Sequence, residues 1–513
     1  MNKWLVAASI SCGSAMGMID ATIVNTALPQ IQGSVGATLQ EITWISTGYA
    51  IAAILLMPLV AFLGRRFGQK RVYLFCLAIF LVGSGLCGLA RTLPQLVAFR
   101  VIQGLGGGAL QPTEEAILRQ TFPKSEQGMA MALSGMILML GPAFGPVLGG
   151  WIIDHLHWSW VFFLSLPVGL VGFVMTSTFV HEDPEILARN QARAALERTN
   201  IDWAGIGLLS TCLATTEFVL EEGQDRDWFD SPLIAALTFV AVSALALFVV
   251  RELTARAPVM NLRLLADRTF ASAMLLSAGL MATLLANMFL LSVFLQQVRG
   301  FSAMQAGLAN IPMTAGMLVT MPAVGAFYER LSPRLTMGAG IAIFAAGAWQ
   351  LSTHVSMAMG QWDLTLPLVL EGAGLAMIFV PLETTALSTI PRHLMADATG
   401  LSNVVKETGG AIGLALFTSV FVRHGASTRA GVAAHIGTTN PLAIARMAGE
   451  SRTTALRQLG GLVTRDAAVL AYQHFFLLGA VMMLLLVPPL LLLSVDRAKA
   501  HDEADDDLLE TTS

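Results

Sequence analysis

The chain has 513 residues, of which 55% are hydrophobic and only 12% are charged, and its mean hydropathy is +0.67. Soluble domains carry about 25% charged residues, so this composition excludes a soluble globular protein and indicates a polytopic membrane protein. The formal net charge of -4 adds little, because the position of charges matters more in a membrane protein than their sum. The four cysteines lie in apolar runs and are predicted to be small core residues, not disulfide partners or metal ligands: Cys12, Cys76, Cys87 and Cys212.

Apolar segments of membrane-spanning length recur about fourteen times, so the sequence predicts an all-α membrane protein. The first segment starts close to Met1 and is interrupted by Asp20, which predicts a retained membrane helix and not a cleaved signal peptide. In chain order, the predicted segments are 4–28, 43–63, 71–90, 94–117, 129–153, 159–180, 202–222, 232–250, 270–295, 303–327, 335–354, 362–390, 400–422 and 470–495.

Lysine and arginine concentrate in alternate loops, which predicts that both termini are cytoplasmic. The short loops predicted to lie outside carry only Arg91, Arg226 and Arg299. A long outer loop is predicted at 423–469, and its six arginines are an exception that the rule tolerates for long loops. The acidic end, 496–513, is predicted to be a disordered cytoplasmic tail.

Polar linkers at 181–200 and 251–268 enclose two of the spanning segments and divide the others into two sets of six. The short basic loops 61–71 and 325–334, after the second and tenth segments, have matching spacing and indicate an internal repeat. Many secondary transporters are built from such tandem halves, with the substrate path between them. The predicted units are an N-terminal six-helix bundle (1–181), linkers with two extra helices (182–268) and a C-terminal six-helix bundle (269–495).

The fifth segment is unusually rich in glycine and proline between residues 141 and 150. In a soluble helix each such residue costs about 1 to 3 kcal/mol relative to alanine. In lipid, glycine lets helices approach closely, and neighbouring helices can satisfy carbonyls freed by proline. The stretch therefore predicts either a sealed joint between helices or ordinary small-residue packing. Its candidate residues are Gly141, Pro142, Gly145, Pro146, Gly149 and Gly150.

Ionisable groups inside a bilayer usually face a cavity or a partner. Asp20 in the first segment is a candidate for exchanging protons or attracting a cation; the alternative is a packing role, with a hydrogen bond to Thr22 or another helix. Arg100 in the fourth segment is a candidate for tuning a neighbouring acid, or for an ion pair that sets helix register. Glu371 in the twelfth segment is predicted to be a proton or cation site, or to pair with Arg100 or Lys406.

Three further charges are weaker candidates for a proton or substrate site. Lys406 and Glu407 are adjacent, so they point about 100° apart on a helix, and snorkelling to the membrane surface is an equal alternative. Glu217 lies in one of the two extra segments, where a direct role is less expected. Glu114, Glu115 and Glu383 lie near predicted inner ends, and they are expected to be interfacial or part of an inner gate.

No other chemistry is indicated. The glycine run 104–108 has no following Gly-Lys-Ser/Thr and no preceding strand, so an ATP site is disfavoured. No histidine or cysteine cluster has the spacing of a metal site, and no catalytic constellation converges. The sequence therefore predicts neither an enzyme, a metal site nor a nucleic-acid-binding protein.

Several motifs, in order along nearly the whole chain, resemble the major facilitator superfamily, specifically its fourteen-helix drug:proton antiporters of the EmrB/QacA type. They are Met18 to Pro29, Trp44 to Tyr49, Arg100 to Gly108, the glycine-proline stretch, Gly300 to Gly307 with Ile311-Pro312, and Gly409 to Gly413. The resemblance implies the major facilitator fold, two six-helix bundles plus two extra helices. It also implies that Arg100 is the proton-coupling arginine of the family.

The chain departs from the family pattern at several positions. Arg65 stands where the first basic loop usually has an aspartate that latches the inner gate, whereas the second loop keeps an acid, Glu329. Ser159, Glu371 and the pair Lys406-Glu407 also replace residues that are common in the family. The candidate residues of the inner-loop gate are Arg65, Arg66, Gly68, Lys70, Gly325, Glu329, Arg330 and Arg334.

The resemblance implies a proton-coupled antiporter that exports amphipathic, lipophilic or cationic compounds, with protons as the coupling ion and no cofactor. The alternatives are a dedicated exporter of one metabolite, lipid or siderophore, an importer, or a membrane sensor that does not transport. The expected location is the bacterial inner membrane. Similar transporters work with a periplasmic adaptor and an outer-membrane channel, so such partners are possible here, and the loop 423–469 is the expected contact.

Overall fold

A computed structural model of the chain describes residues 3–123, 126–181, 202–255, 259–327, 332–356, 359–390, 394–435 and 452–493. Within these ranges the regular secondary structure is entirely helical, which confirms the predicted fold class. The first half contains α1 (Lys3–Val35), α2 (Leu39–Leu56), α3 (Leu59–Phe67), α4 (Gln69–Leu89), α5 (Leu93–Thr121), α6 (Gln127–His155), α7 (Trp160–Phe163) and α8 (Ser165–Phe179).

Two helices follow the first set, α9 (Trp203–Glu222) and α10 (Pro232–Thr254). The remaining helices are α11 (Arg268–Val293), α12 (Ala303–Ala309), α13 (Ile311–Phe327), α14 (Pro333–His354), α15 (Gln361–Ala386), α16 (Met395–His435), α17 (Arg452–Leu484) and α18 (Val487–Leu492). A π-helical turn, Phe294–Val298, extends α11. Each predicted apolar segment coincides with one of these helices or with two that are nearly continuous.

Eleven of the described helical segments are long and apolar enough to cross a membrane. They include the segments of α9 and α10, but not α2, α5 or α6. Helix α2 is short, and α5 carries Arg100, Glu114, Glu115 and Arg119 in its length. The chain is thus a multi-pass membrane protein, and the number fourteen stays a prediction.

Local sequence signals set the helix boundaries. At the start of α2, Thr38 and Glu41 form a capping box, in which each side chain accepts the other residue's backbone N–H. Ser302 and Gln305 do the same at the start of α12. Between α3 and α4 the chain turns at Gly68, whose φ of 93° strongly favours glycine. The first basic loop therefore has a defined turn.

Buried apolar side chains form three clusters. Two of them lie entirely within residues 6–180. The third lies mostly within residues 209–493 and includes only Ile54 and Ala132 from the first half. The core thus divides near the extra helices, although the predicted unit boundaries themselves are not tested by this division.

The predicted outer loop 423–469 is wrong in extent. Helix α16 continues to His435, and α17 already begins at Arg452. Polar, arginine-bearing helix ends carry no hydropathy signal, so the sequence pattern assigned them to a loop. Residues 436–451, most of the linker 181–200, the tail from 494, and Glu329 and Arg330 lie outside the described residues.

Candidate functional site

The first buried charge cluster joins α1 to α5. Arg100 Nη1 lies 2.6 Å from Asp20 Oδ2, and both side chains are almost completely buried. The Gln103 amide donates to Asp20 Oδ1 at 3.0 Å and accepts from Arg100 Nη1 at 2.8 Å. Gln103 lies one helical turn after Arg100, so both reach the same face of α5. Asp20 is therefore an ion-pair partner bonded to another helix, as the packing alternative also allowed, and Thr22 is not among its hydrogen-bond partners.

The guanidinium group of Arg100 is fixed on its other sides as well. Its Nε donates to the Ile45 carbonyl of α2 at 3.2 Å. The Tyr49 ring lies beneath it, 4.2 Å from the guanidinium carbon to the ring centroid. Arginine presents five donors in a rigid planar fork, whereas a lysine ammonium is a compact point charge. Arg100 thus ties three helices of the first half around one buried carboxylate.

The glycine-proline stretch of α6 packs directly on α1 beside this cluster. A Cβ added at Gly141 would lie 2.5 Å from the Met18 carbonyl oxygen, and one at Gly145 would overlap Thr22 Oγ1. Thr22 in turn donates to the Gly141 carbonyl at 2.9 Å. These contacts show a close helix-helix joint within the first half, one turn or less from Asp20.

Other glycines of α6 contact the second half. A Cβ at Gly135 would lie 2.8 Å from Met321 of α13 and from Phe379 of α15, and one at Gly150 would lie 3.2 Å from Met304 of α12. Helix α6 therefore packs on α1 and on the C-terminal helices at the same time. The side chains of Pro142 and Pro146 are not described.

Substituting Gly141 with valine should destabilise the folded protein by about 1 to 3 kcal/mol, the usual cost of overpacking. The obstructing atom is a backbone carbonyl of α1, which cannot rotate away. Gly207→Val is the matched control, because Gly207 is an exposed helical glycine with nothing within 4 Å of an added Cβ. Thermal unfolding of purified protein should show a lower midpoint for Gly141→Val only. Equal midpoints for both variants would contradict the close joint.

A second buried cluster joins the two halves, and we call it the inter-bundle network. Its members are Glu115 and Arg119 of α5, Glu383 of α15, and Asn403 and Lys406 of α16, all buried. Lys406 Nζ lies 3.4 Å from Glu115 Oε1 and 3.2 Å from Glu383 Oε1. Arg119 donates to the Glu383 backbone carbonyl at 3.1 Å, and Asn403 donates to Glu115 at 3.4 Å.

The network contains two acids and two bases, so its formal charge is balanced. The structure rules out snorkelling for Lys406, whose charged end is buried between two carboxylates. Glu114, next to Glu115, instead accepts a hydrogen bond from Ser11 of α1 at 2.8 Å and stays within the first half. Glu114 is therefore bonded within the first half, whereas Glu115 and Glu383 lie between the halves, and a gating role for the three acids stays a prediction.

Glu371 of α15 pairs with neither Arg100 nor Lys406. Its Oε2 accepts a hydrogen bond from the Asn287 amide of α11 at 2.6 Å, and the carboxyl group is completely buried. The predicted pairing with a cation is wrong, because Arg100 and Lys406 are committed to Asp20 and to the inter-bundle network. The role of Glu371 as a proton or cation site is not tested by this geometry.

The extra helix α9 contacts both halves. Trp44 of α2 packs against Phe218, with ring centroids 5.6 Å apart. Just past the end of α9, Gln224 accepts from Ser419 of α16 at 3.1 Å. Glu217 of α9 lies within electrostatic range of Glu407 of α16. The two weaker acidic candidates therefore repel each other electrostatically, while Lys406 faces another direction on α16.

The inner-loop candidates take structural roles where they are described. Lys70 Nζ donates to the Ser177 carbonyl at 2.7 Å, and Arg334 Nε donates to the Leu493 carbonyl at 2.6 Å. A Cβ at Gly325 would lie 3.1 Å from the Gly128 carbonyl of α6, so this glycine also lies between the halves. The Arg66 guanidinium lies 5.7 Å from the Phe67 ring centroid. The side chain of Arg65 is not described.

Sequence reasoning missed four polar partners: Gln103, Asn287, Arg119 and Asn403. Two of them carried a signal. Gln103 is three residues after Arg100, and Asn287 is an amide within an apolar helix, where polar groups usually have a function. Arg119 and Asn403 lie near helix ends, where a polar residue is unremarkable.

Two helical halves, buried ion pairs within and between them, and glycine-mediated helix contacts define a multi-pass membrane protein of the transporter class. The Major Facilitator Superfamily model matches residues 10–414. This chain belongs to the Major Facilitator Superfamily.

The chain is also similar to curated proteins over most of its length. It is 32% identical over 479 residues to the multidrug export protein EmrB of Haemophilus influenzae, which covers 93% of this chain and 91% of that protein. It is 31% identical over 433 residues to the fatty acid resistance protein FarB of Neisseria gonorrhoeae, covering 84% and 83% of the two chains. These matches confirm the family resemblance.

The fold is similar to that of a solved transporter. The crystal structure of the human organic anion transporter MFSD10 (TETRAN) matches with a TM-score of 0.62 at 14% sequence identity, covering 96% of this chain and 100% of that one. This match supports the fold.

Proposed function

We propose that the chain is a proton-coupled antiporter that exports amphipathic, lipophilic or cationic compounds by alternating access. The Asp20–Arg100–Gln103 cluster is the observation that carries the proposal. In it, Asp20 is a buried carboxylate, and Arg100 is its only cationic partner among the described residues. The name of the EmrB relative supports multidrug export, and the name of FarB supports lipophilic, acid-bearing compounds within the same range.

Protonation of Asp20 removes the charge that holds Arg100. The guanidinium then has only neutral acceptors, on Asp20, Gln103 and Ile45, so the bond between α1 and α5 weakens. Helix α1 is joined through glycine contacts to α6, which also packs on the C-terminal helices. A proton bound at Asp20 can therefore change how the two halves contact each other.

In this proposal the inter-bundle network is the closed inner gate. It joins α5 to α15 and α16 at the ends predicted to be cytoplasmic, and it must separate when the cavity opens inward. It also supplies acids at a gate where the first basic loop has Arg65 in place of the usual aspartate. The neighbouring acids Glu217 and Glu407 are the proposed attraction site for a cationic substrate.

The proposed setting is the bacterial inner membrane, with both termini in the cytoplasm, as the loop charges indicate. Protons are the proposed coupling ion, and the chain acts as a transporter without enzymatic chemistry. A periplasmic adaptor with an outer-membrane channel is the proposed partner system, and the polar helix ends beyond residue 423 of α16 and before residue 469 of α17 are the proposed contact.

Asp20→Asn should abolish ethidium efflux driven by a pH gradient, because asparagine keeps the size of the side chain and removes the titrating group. Efflux from energised vesicles would be measured at several pH values, with and without a proton uncoupler. Asp154→Asn is the matched control, since Asp154 is an exposed aspartate near the end of α6. We expect wild-type efflux to collapse with the uncoupler and the control variant to behave as wild type.

Two results would change the proposal. Efflux by wild type that is independent of the pH gradient would contradict proton coupling. Wild type that moves no ethidium but does move a fatty acid would replace the multidrug proposal with a dedicated lipid exporter, the alternative that the FarB relative makes concrete.

A further inference from the structure

A buried acid in the second half has no charged partner among the described residues. Glu371 is 0% exposed, and its single hydrogen bond in the described structure is the one accepted by Oε2 from the Asn287 amide at 2.6 Å. Its other oxygen, Oε1, is buried and has no hydrogen-bond partner. The Asn287 side-chain oxygen, Oδ1, is also buried without a partner. Glu371 and Asn287 are thus joined by one hydrogen bond, and each also has one buried oxygen without a partner.

No described charge faces this pair from the surrounding helices. Helices α12 and α13, which pack against α15, contain no ionisable side chain. The charged groups of the other helices that pack on α15 lie at helix ends: Arg268 of α11, Arg334 and His354 of α14, and Asp154 and His155 of α6. On α16, which packs on α11, Lys406 belongs to the inter-bundle network and Glu407 lies within electrostatic range of Glu217. On α17, Arg465, Asp466 and His474 are exposed. On α15 itself, the Asp363 side chain accepts a hydrogen bond from the Gly360 backbone N–H, and Glu383 belongs to the inter-bundle network. An ionised Glu371 would therefore be an uncompensated buried charge, which is strongly unfavourable at membrane depth.

A single proton resolves both orphan atoms. A protonated Oε1 becomes a donor, and Asn287 Oδ1 is the buried acceptor that lacks one. Together with the existing bond from Asn287 Nδ2, this completes a two-bond pair between a carboxylic acid and an amide. A metal cation fits less well, because hard cations take six or more oxygen ligands, and no described cluster of ligating side chains is present.

We propose that Glu371 and Asn287 form a second proton-binding site, separate from Asp20 and held as a neutral acid-amide pair in the C-terminal helices. The site itself does not depend on the proposed antiport function. Its consequence rests on that function: each transport cycle moves one proton more than Asp20 alone would carry. Gly347 of α14 leaves room for the acid, since a Cβ there would lie 3.0 Å from Glu371 Cγ. Pro367, one turn earlier in α15, removes a backbone donor and weakens the helix where the site must open to release the proton.

Infrared difference spectroscopy of the purified full chain tests proton binding without requiring transport. Wild type at neutral pH should show the C=O stretching band of a protonated carboxyl group, and Glu371→Gln should lack that band. Asp20→Asn should retain it, because the two acids lie in different halves. Glutamine keeps the size and can make both bonds to Asn287, so this variant should fold.

Asn287→Leu tests the pairing itself. It should shift the band to higher frequency, because the acid loses its hydrogen-bond partner. Asn310→Leu is the matched control, since Asn310 is also a buried asparagine with an unpartnered oxygen but bonds only to the Ala306 carbonyl. An unshifted band in Asn287→Leu would overturn the acid-amide pair.

A band of equal intensity in wild type and Glu371→Gln would overturn the proton site. If sodium chloride removes the band and choline chloride leaves it in place, the proton site is also overturned, because a metal cation then binds there. In reconstituted vesicles with active wild type, Glu371→Gln should move one proton fewer per ethidium, and an unchanged ratio would overturn the second coupled proton. If wild type shows the band but no pH-driven efflux, the site stands and the antiport proposal fails.

Discussion

Replacing Arg100 with alanine should abolish coupled transport and lower the free energy of unfolding by about 3 to 5 kcal/mol, because removing one member of a buried ion pair leaves the other charge uncompensated. Asp20 is 0% exposed and would retain only the Gln103 amide. Arg100→Lys should fall between wild type and alanine, since lysine keeps the charge but lacks the planar fork with which Arg100 reaches Asp20, Gln103 and the Ile45 carbonyl. Thermal unfolding and vesicle efflux are the two measurements.

The control for this prediction is Arg226→Ala. Arg226 also forms an ion pair, with Glu222 at 2.9 Å, but its side chain is 37% exposed and the pair spans one helical turn. Such surface pairs contribute about 0.3 to 0.5 kcal/mol. A double variant, Asp20→Asn with Arg100→Gln, should regain much of the stability without regaining coupling, because no charge is then buried alone. If Arg100→Ala is as stable as Arg226→Ala, the buried pair does not hold α1 to α5.

The helices were predictable because each apolar run has the length that a membrane requires. Hydropathy fails where a helix continues into water, as at the end of α16 and the start of α17, since those turns are as polar as a loop. It also gives no indication that α5 buries four charged side chains along its length.

The presence of functional charges was predictable, but their partners were not. Asp20 and Arg100 are 80 residues apart, and only the packing of α1 on α5 brings them together. Glu371, predicted to be a proton or cation site or a partner of Arg100 or Lys406, contacts Asn287, 84 residues earlier. Depth in the membrane follows from position along a helix, whereas the face that a side chain occupies depends on how the helices pack.

The adjacent residues Lys406 and Glu407 also show that the sequence does not determine which face of a helix contacts which neighbour. Their 100° separation on α16 predicts that they face different surroundings, and the structure has Lys406 in the inter-bundle network and Glu407 within range of Glu217. The sequence does not indicate which of the two faces the first half. Glu114 and Glu115 of α5 divide in the same way, one toward Ser11 and one toward Lys406.

Reversing a charge in the inter-bundle network should open the predicted cytoplasmic side. Lys406→Glu would bring three acids together around Arg119, and Glu115→Lys would leave Glu383 facing three cations. Either change should shift the equilibrium between closed and open by about tenfold or more, which corresponds to 1.4 kcal/mol. The double reversal restores one pair of opposite charges, so it should return most of the closed population.

The rate at which a buried cysteine reacts with a maleimide measures this opening. Ser402 lies one turn before Lys406 on α16 and is 4% exposed, so a cysteine there, in a variant lacking the four native cysteines, should react with a maleimide only when the halves separate. We expect faster labelling in each single reversal and a rate near wild type in the double reversal.

Neighbouring glutamates of α5 provide a matched pair of neutral variants. Glu115→Gln removes a carboxylate that Lys406 contacts, whereas Glu114→Gln removes one that bonds Ser11 within the first half. The first should speed the labelling and the second should not, although both remove one buried negative charge. Equal labelling in these two variants would mean that any buried charge in α5 affects the opening, and that the contacts between halves do not hold the predicted cytoplasmic side closed. A difference confined to Glu115→Gln would attribute the closure to the ion pairs that cross from α5 to α16.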